Sequence, residues 1–324
     1  MKNNKVVILY NKLSENPQPD ELDVLIQVKL VADTLKEMGY QTSEVQFSFQ
    51  IEDAIKQIKE IDPVFVFNLV ESINNKGELC YFGPAILNYL QIPYSGVPLD
   101  GMFITTNKLL TKKILKGNNI PTAEWIELNE LEKINPSLRY ILKPKCEDGS
   151  LGLDYDNVFY GNDSVYIEKL HQVDRSKFFI EQYIDGREFN ISVIGGNNGP
   201  EVLPPAEMQF LNFPEGKPKI MGYSAKWTED TFDYDQTERT FDVKESDKPL
   251  LDKLTEICLQ CWKVFDLSGY ARVDFRIDTE GNPYVLEVNA NPCISPDSGI
   301  YAACMQKGYS FKYFMERVIE DAFK

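Results

Sequence analysis

Two short segments hold the side chains best suited to chemistry. In GYARVDFRID, Arg272 and Asp274 stand two apart, and in PYVLEVNANP, Glu287 and Asn289 do the same. Residues two apart on an extended strand share a face. The linker at Thr279–Asn282, with its Glu-Gly-Asn, lets the segments pair. An aspartate, a glutamate, an asparagine oxygen and a guanidinium then meet on one side of a hairpin. Hard oxygen ligands without imidazole or thiolate suit Mg2+, and manganese accepts the same set. The flanking Val273, Phe275, Val285, Leu286 and Val288 predict buried strands, where a carboxylate needs a partner. The same spacing also fits a plain Arg–carboxylate pair on a solvated face.

Lysines form a second constellation. Lys143 ends the apolar run RYILKP just before CEDGSLGL, Lys108 opens the helix read over TTNKLLTKKILKGNN, and Lys226 stands beside Trp227 in a charged aromatic loop. A glycine-containing loop offers N–H groups to phosphate oxygens, and lysines add point charges. Taken singly, each lysine reads as a surface residue. In FFIEQYIDGRE, Glu181 and Glu188 sit at the ends of neighbouring strands around a turn at Asp185-Gly186. Such a turn can present backbone to an adenine edge and a carboxylate to a ribose, or be an exposed charged hairpin.

Composition bounds what positions these groups. The chain has 324 residues, 43% hydrophobic and 12% aromatic, enough for a large core. At about 150 residues per domain, two or three packed units are expected. With 34 Lys and Arg against 50 Asp and Glu, the net charge is −16, which disfavours nucleic acid and anionic membranes as partners. No stretch approaches the ~18 apolar residues of a membrane span, and MKNNKVVILYNKLSE reads as a first strand rather than a signal peptide. Six cysteines (Cys80, Cys146, Cys258, Cys261, Cys293, Cys304) then suggest a reducing, cytoplasmic compartment, with Cys258 and Cys261 packed along a helix. The single histidine, His171, argues against serine-protease triads, multi-histidine zinc sites and HExxH enzymes.

Apolar runs alternating with helical periodicity over residues 1–100 predict a small doubly wound parallel-sheet domain in an α/β (α+β) chain. A small sheet with a glycine-containing loop is expected over 101–186. Residues 187–324 should supply further strands, a helix at Asp247–Val264, the hairpin and two closing helices.

In order and spacing, TTNKLLTK, YILKPKCEDGSLGL, FIEQYIDGREF, SAKW, GYARVDF and LEVNANP resemble the ATP-grasp superfamily, in its D-alanine–D-alanine ligase-like branch. The resemblance implies the ATP-grasp fold, a pre-ATP-grasp domain (1–100) followed by a small (101–186) and a C-terminal (187–324) unit that clasp ATP. It implies an ADP-forming carboxylate–amine ligase working through an acyl phosphate on small-molecule substrates, with two Mg2+ ions, and a homodimer. Lys108 and Lys143 resemble its phosphate lysines; Gly149, Ser150 and Gly152 its phosphate loop, with Ser150 catalytic. Glu181, Gln182, Tyr183 and Ile184 resemble the adenine hinge, and Glu188 the ribose carboxylate. Lys226 resembles the γ-phosphate lysine, Asp274, Glu287 and Asn289 the metal ligands, and Arg272 the arginine at the tetrahedral intermediate.

Departures fall in the amino-acid pocket. Where the branch has HGxxGE, this chain reads NLVESINNKGE, keeping Gly77 and Glu78 but no histidine. Trp227 replaces a tyrosine and Cys293 a glycine, while Ser298 falls where the branch binds a substrate carboxylate. The Cys293 thiol is expected to be a substitute for glycine rather than a nucleophile, since no histidine stands beside it. Nucleotide chemistry is expected intact and the substrate pocket rebuilt. A larger peptide or natural-product acceptor, or a non-catalytic ATP-binding regulator, remain as alternatives.

Overall fold

The computed structural model describes residues 3–146, 152–228 and 230–324. The first unit alternates β1 (Lys5–Asn11), α1 (Pro19–Glu37), β2 (Gln41–Phe47), α2 (Ile51–Ile61), β3 (Phe65–Leu69) and α3 (Phe82–Leu90). Its parallel sheet runs β2-β1-β3. The apolar run of β1, and that of β3 interrupted only by the buried Asn68, bury both faces, as strands covered by helices on two sides require. Val6, Ile8 and Tyr10 face α1, whereas Val7 and Leu9 face α2 and α3.

The expected single helix around Lys108 is two, α4 (Leu99–Thr106) and α5 (Lys108–Gly117). Asn107 breaks them, its Oδ1 accepting the Leu110 N–H at 3.1 Å as the cap of α5. Lys108 therefore opens α5, as its sequence suggests. Then follow β4 (Trp125–Ile126), β5 (Arg139–Pro144), β6 (Val158–Tyr160), α6 (Ser164–Leu170) and β7 (Phe178–Gln182). They form an antiparallel sheet of order β4-β7-β5-β6.

The third sheet has order β11-β10-β8-β12-β13, with β9 on β8. Its strands are β8 (Arg187–Ile194), β9 (Glu201–Val202), β10 (Ala206–Phe210), β11 (Thr237–Thr240), β12 (Tyr270–Ile277) and β13 (Pro283–Asn289). Helices α7 (Tyr223–Trp227) and α8 (Phe232–Asp235) precede β11, and α9 (Lys248–Val264) follows it. The charged aromatic stretch after Lys226, expected as loop, thus contains α8 and an edge strand. The chain closes with α10 (Gly299–Lys307) and α11 (Phe311–Ala322). Both helices pack beside α1 in a core shared with β1 and β3.

The turn at Asp185-Gly186 needs correction. β7 and β8 do not pair with each other; each lies in a different sheet, so residues 183–186 are a crossover rather than a hairpin turn. Gly186 makes the crossing feasible. Its φ is +146°, and a Cβ there would lie 1.9 Å from the Ile277 carbonyl oxygen on β12. Cys258 and Cys261 are buried on α9, and burial raises both thiol pKa values, Cys261 to about 12, as expected of core packing. Among the described residues no helix is long and apolar enough to cross a membrane.

Candidate active site

Register places the reactive groups on one sheet face. β12 and β13 pair Arg272 with Asn289 and Asp274 with Glu287, while β12 and β8 pair Asp274 with Asn190 and Arg276 with Glu188. Directly opposed residues share a face, so Glu188, Arg272, Asp274, Arg276, Glu287 and Asn289 project together. Val273, Phe275, Val285 and Val288 point into the core, where Val273 and Phe275 are 0% exposed, whereas Leu286, expected to be buried with them, turns to the cleft.

This face forms one wall of a cleft whose other wall is the four-stranded sheet. Lys108, Lys143, Glu181, Gln182, Tyr183, Ile184, Glu188, Lys226, Asp274 and Glu287 all line it. Ile141, Leu153, Ile220 and Leu286 give it an apolar flank. At the crossover the N–H groups of Gln182 and Tyr183 donate to the Glu124 and Arg139 carbonyls. Those ladder bonds fix the path of the backbone that borders the cleft.

Charge is concentrated at the far end. Arg272 donates to both oxygens of Asp274, at 2.7 and 2.8 Å, and lies 3.9 Å from Glu287. Lys108 Nζ is 3.1 Å from Glu287 Oε2. Burial alone would raise both acids. The Lys108, Arg272 and Lys226 charges nevertheless hold Glu287 well below the carboxylate range. Asp274 goes the other way, raised by burial and by its ionised neighbour despite Arg272. Lys226 is lowered by burial and by Arg272. Two facing carboxylates, one made hard to ionise, form a site that further positive charge would relieve. With the Asn289 carboxamide, which accepts the Asn291 N–H at 2.9 Å, the donors are hard oxygens, the chemistry magnesium prefers. Among the described residues no cluster of three His, Cys, Asp or Glu side chains offers another metal site.

Several partners escaped the sequence. Glu181 does not point freely toward a ligand: its carboxylate lies 2.6 Å from Lys112 and 2.9 Å from Lys143, with Lys112 0% exposed. Glu188 is paired with Arg276 at 3.2 Å. Tyr223, one turn before Lys226, donates to Asp20 at 2.9 Å and so ties α7 to α1. Sequence offers no signal for these contacts, which depend on segments far apart in the chain.

Of the expected substrate residues, Cys293 donates its thiol to Asp23 at 2.9 Å, and Gln27 donates to Asp23 and Glu71 at 3.0 and 2.9 Å. Burial and the Asp23 and Glu71 charges push the thiol pKa far up, which suits a proton donor and not a nucleophile. The Ser298 hydroxyl caps α10 by accepting the Tyr301 N–H. Trp227 ends α7, half-buried, and Glu78 is exposed on a short 3-10 turn away from the cleft lining. Gly152 is exposed with φ +71°, while Gly149 and Ser150 lie outside the described residues.

Comparison with known proteins adds lineage to this geometry. The profile of the family described as "D-ala D-ala ligase C-terminus" matches residues 115–320. An uncharacterized protein of Sinorhizobium fredii, y4sG, is 26% identical over 90% of this chain and 86% of its own length. D-alanine–D-alanine ligase A of Bacillus cereus is 29% identical over 74% of each chain. The crystal structure of D-alanine–D-alanine ligase from Bacillus anthracis complexed with ATP superposes with a TM-score of 0.74 at 22% identity, covering 98% of this chain and 97% of that one. The ligase from Coxiella burnetii gives 0.68 at 17% identity over 98% and 94%. Because the profile spans well over half of the chain and the ligase fold is shared almost end to end, the chain belongs to the D-alanine–D-alanine ligase family of ATP-grasp enzymes.

Proposed function

We propose that the chain is an ADP-forming carboxylate–amine ligase of the cytoplasm that activates a small carboxylate as an acyl phosphate and passes it to an amine. The observation that carries this reading is the facing Asp274–Glu287 pair, set with Lys108 and Lys226 in the cleft between two sheets. Residues 1–100, 101–186 and 187–324 serve as its three functional units. The crossover at 181–184 borders the adenine, Glu188 meets the ribose, and Lys108, Lys143 and Lys226 carry the phosphates with Gly149, Ser150 and Gly152. Mg2+ held by Asp274, Glu287 and Asn289 would neutralise charge on the transferring phosphoryl oxygens. Arg272, fixed by its two bonds to Asp274, is poised to stabilise oxyanion charge, worth roughly 10²–10³ in rate per donor.

The test is ADP release with Mg-ATP over paired D- and L-amino acids, with products identified by mass. Asp274→Ala and Glu287→Ala should abolish release with the circular dichroism spectrum unchanged. Full turnover in either variant would overturn the assignment. A dipeptide mass would identify an amino-acid acceptor, and a requirement for a longer amine would identify a larger one.

A further inference from the structure

The unexplained charge near the site is Arg239 on β11. β10 pairs Met208 with Arg239 and with Glu188, so Arg239 rises from the same sheet face as the catalytic residues. It stands on the edge strand, three strands away from β12. Its side chain reaches back across the face: Nη1 donates to the backbone carbonyls of Asp297 and Ser298, at 3.1 and 3.3 Å. The guanidinium thereby arrives just before α10, close enough to Arg272 for the two like charges to lower its pKa, after burial as the larger cause.

Carbonyls use one nitrogen of the fork. Nε is shut away from water and has no hydrogen-bond partner among the described residues, and the same is true of the Thr237 hydroxyl two residues away on the same face. No described carboxylate lies within ion-pair distance of Arg239, and Asp297 Oδ1 accepts from Ser295 at 2.6 Å instead. The free Nε–Nη2 edge is the side of a guanidinium that grips a carboxylate with two parallel bonds. Arg272 spends its own fork on Asp274, and Ser298 with the first turn of α10 can take only one acid group. Asp297 offsets part of the Arg239 charge from beyond ion-pair distance, and a substrate with a single carboxylate would leave the fork itself unfilled.

We infer that Arg239 is a specificity residue which grips a second carboxylate, so that the substrate docking before α10 is a dicarboxylic amino acid. This rests on the ligase reading and narrows its substrate class. An aspartate- or glutamate-type side chain supplies the extra acid, and the corresponding amide is the nearest neutral shape.

The experiment sets each acid against its amide, aspartate with asparagine and glutamate with glutamine, in both configurations. It measures kcat and KM from ADP release by the wild-type protein, Arg239→Gln and Arg239→Lys. The wild type should favour the acid, and Arg239→Gln should remove about 10- to 100-fold of that preference, through KM rather than kcat. Arg239→Lys should not restore it, because lysine keeps a donor for the Asp297 and Ser298 carbonyls but lacks the fork. Equal use of acid and amide by the wild type would overturn the inference. So would a variant that loses acid and amide turnover alike, the mark of a mere tie between β11 and α10. If no amino acid supports ADP release, the ligase reading falls first. Calorimetric titration of glutamate against glutamine, with Mg2+ and a non-hydrolysable ATP analogue present, still decides the role of Arg239: no preference for the acid, or one retained in Arg239→Gln, refutes it.

Discussion

Replacing Glu181 with glutamine probes the internal charge balance. Glu181 is 1% exposed and is the shared counter-ion of Lys112, 0% exposed, and Lys143, 8% exposed. Glu181→Gln keeps the shape and removes the only negative charge of this group, leaving two buried ammoniums side by side. Breaking such a buried set costs ~3–5 kcal/mol. Lys112→Met instead leaves the matched Glu181–Lys143 pair. Its cost is the bonds from Lys112 to Thr122 Oγ1 and the Ala123 carbonyl, on the order of 1–3 kcal/mol. Urea unfolding followed by fluorescence is suited to the comparison, because Trp125 is paired with Glu181 in the ladder. The pH dependence has a definite sign. Burial would raise the Glu181 carboxyl, yet the two lysines hold it below its ordinary value. Its contribution is therefore full above the unfolded pKa of about 4.3 and lost as pH falls through the lower folded value. The gap between wild type and Glu181→Gln should close in acid. Equal urea midpoints at pH 7, or a Lys112→Met variant less stable than Glu181→Gln, would refute this reasoning.

Further outcomes are expected. Lys217 sits among Tyr155, Phe213 and Phe232, at 4.3, 4.9 and 4.4 Å from their centroids, and 2.6 Å from Asp233. Lys217→Met should loosen this clasp by ~1–2 kcal/mol, seen as several-fold faster proteolysis within residues 211–235. Lys226 loses charge as pH rises through a pKa below 10.5; the alkaline limb of kcat/KM for ATP should fall correspondingly early and move upward in Lys226→Arg. Cys293→Ala should keep turnover, and iodoacetamide should alkylate Cys293 far more slowly than a free thiol at pH 8. Gly186→Ala, driven into the Ile277 carbonyl, should cost more than about 3 kcal/mol and give little folded protein on expression.

What the sequence revealed follows from the range of each interaction. Asp274 and Glu287 were legible as neighbours because a short turn brings their strands together, but their direct opposition depends on a register shift between Asp274 and Phe275 that the sequence does not announce. The α2 bounds, Ile51–Ile61, follow directly from local periodicity. The 183–186 crossover was misread because strand, turn and strand look the same whether the strands pair with each other or with different partners. Lys112, Arg276 and Arg239 carry no signal in the sequence, since a buried lysine or arginine declares itself only when its distant counterpart is known. The acid near the substrate pocket was equally hidden. Glu21 is spent on capping α1 through Gln18 and Ser14, leaving Asp23, two residues on and so on another side of the helix, to reach Cys293.

The core around β1 and β3 has a consequence for biosynthesis. Val6, Ile8, Phe65 and Phe67 are covered in part by Phe314, Met315 and Val318 of α11, and Phe323 packs edge-on to Phe65 at 5.8 Å. A ribosome delivers β1 and β3 long before it delivers α11, so one face of the parallel sheet must wait with its apolar side chains uncovered. Contacts this distant in sequence slow folding and lengthen the interval in which chains can associate wrongly. The nascent chain is thus expected to hold chaperones until α11 emerges, whereas the buried triad around Glu181 can form from residues 112–181 alone. Ribosome-stalled chains ending at residue 308 should accordingly bind a hydrophobic dye, and stalled chains with α11 outside the exit tunnel should not.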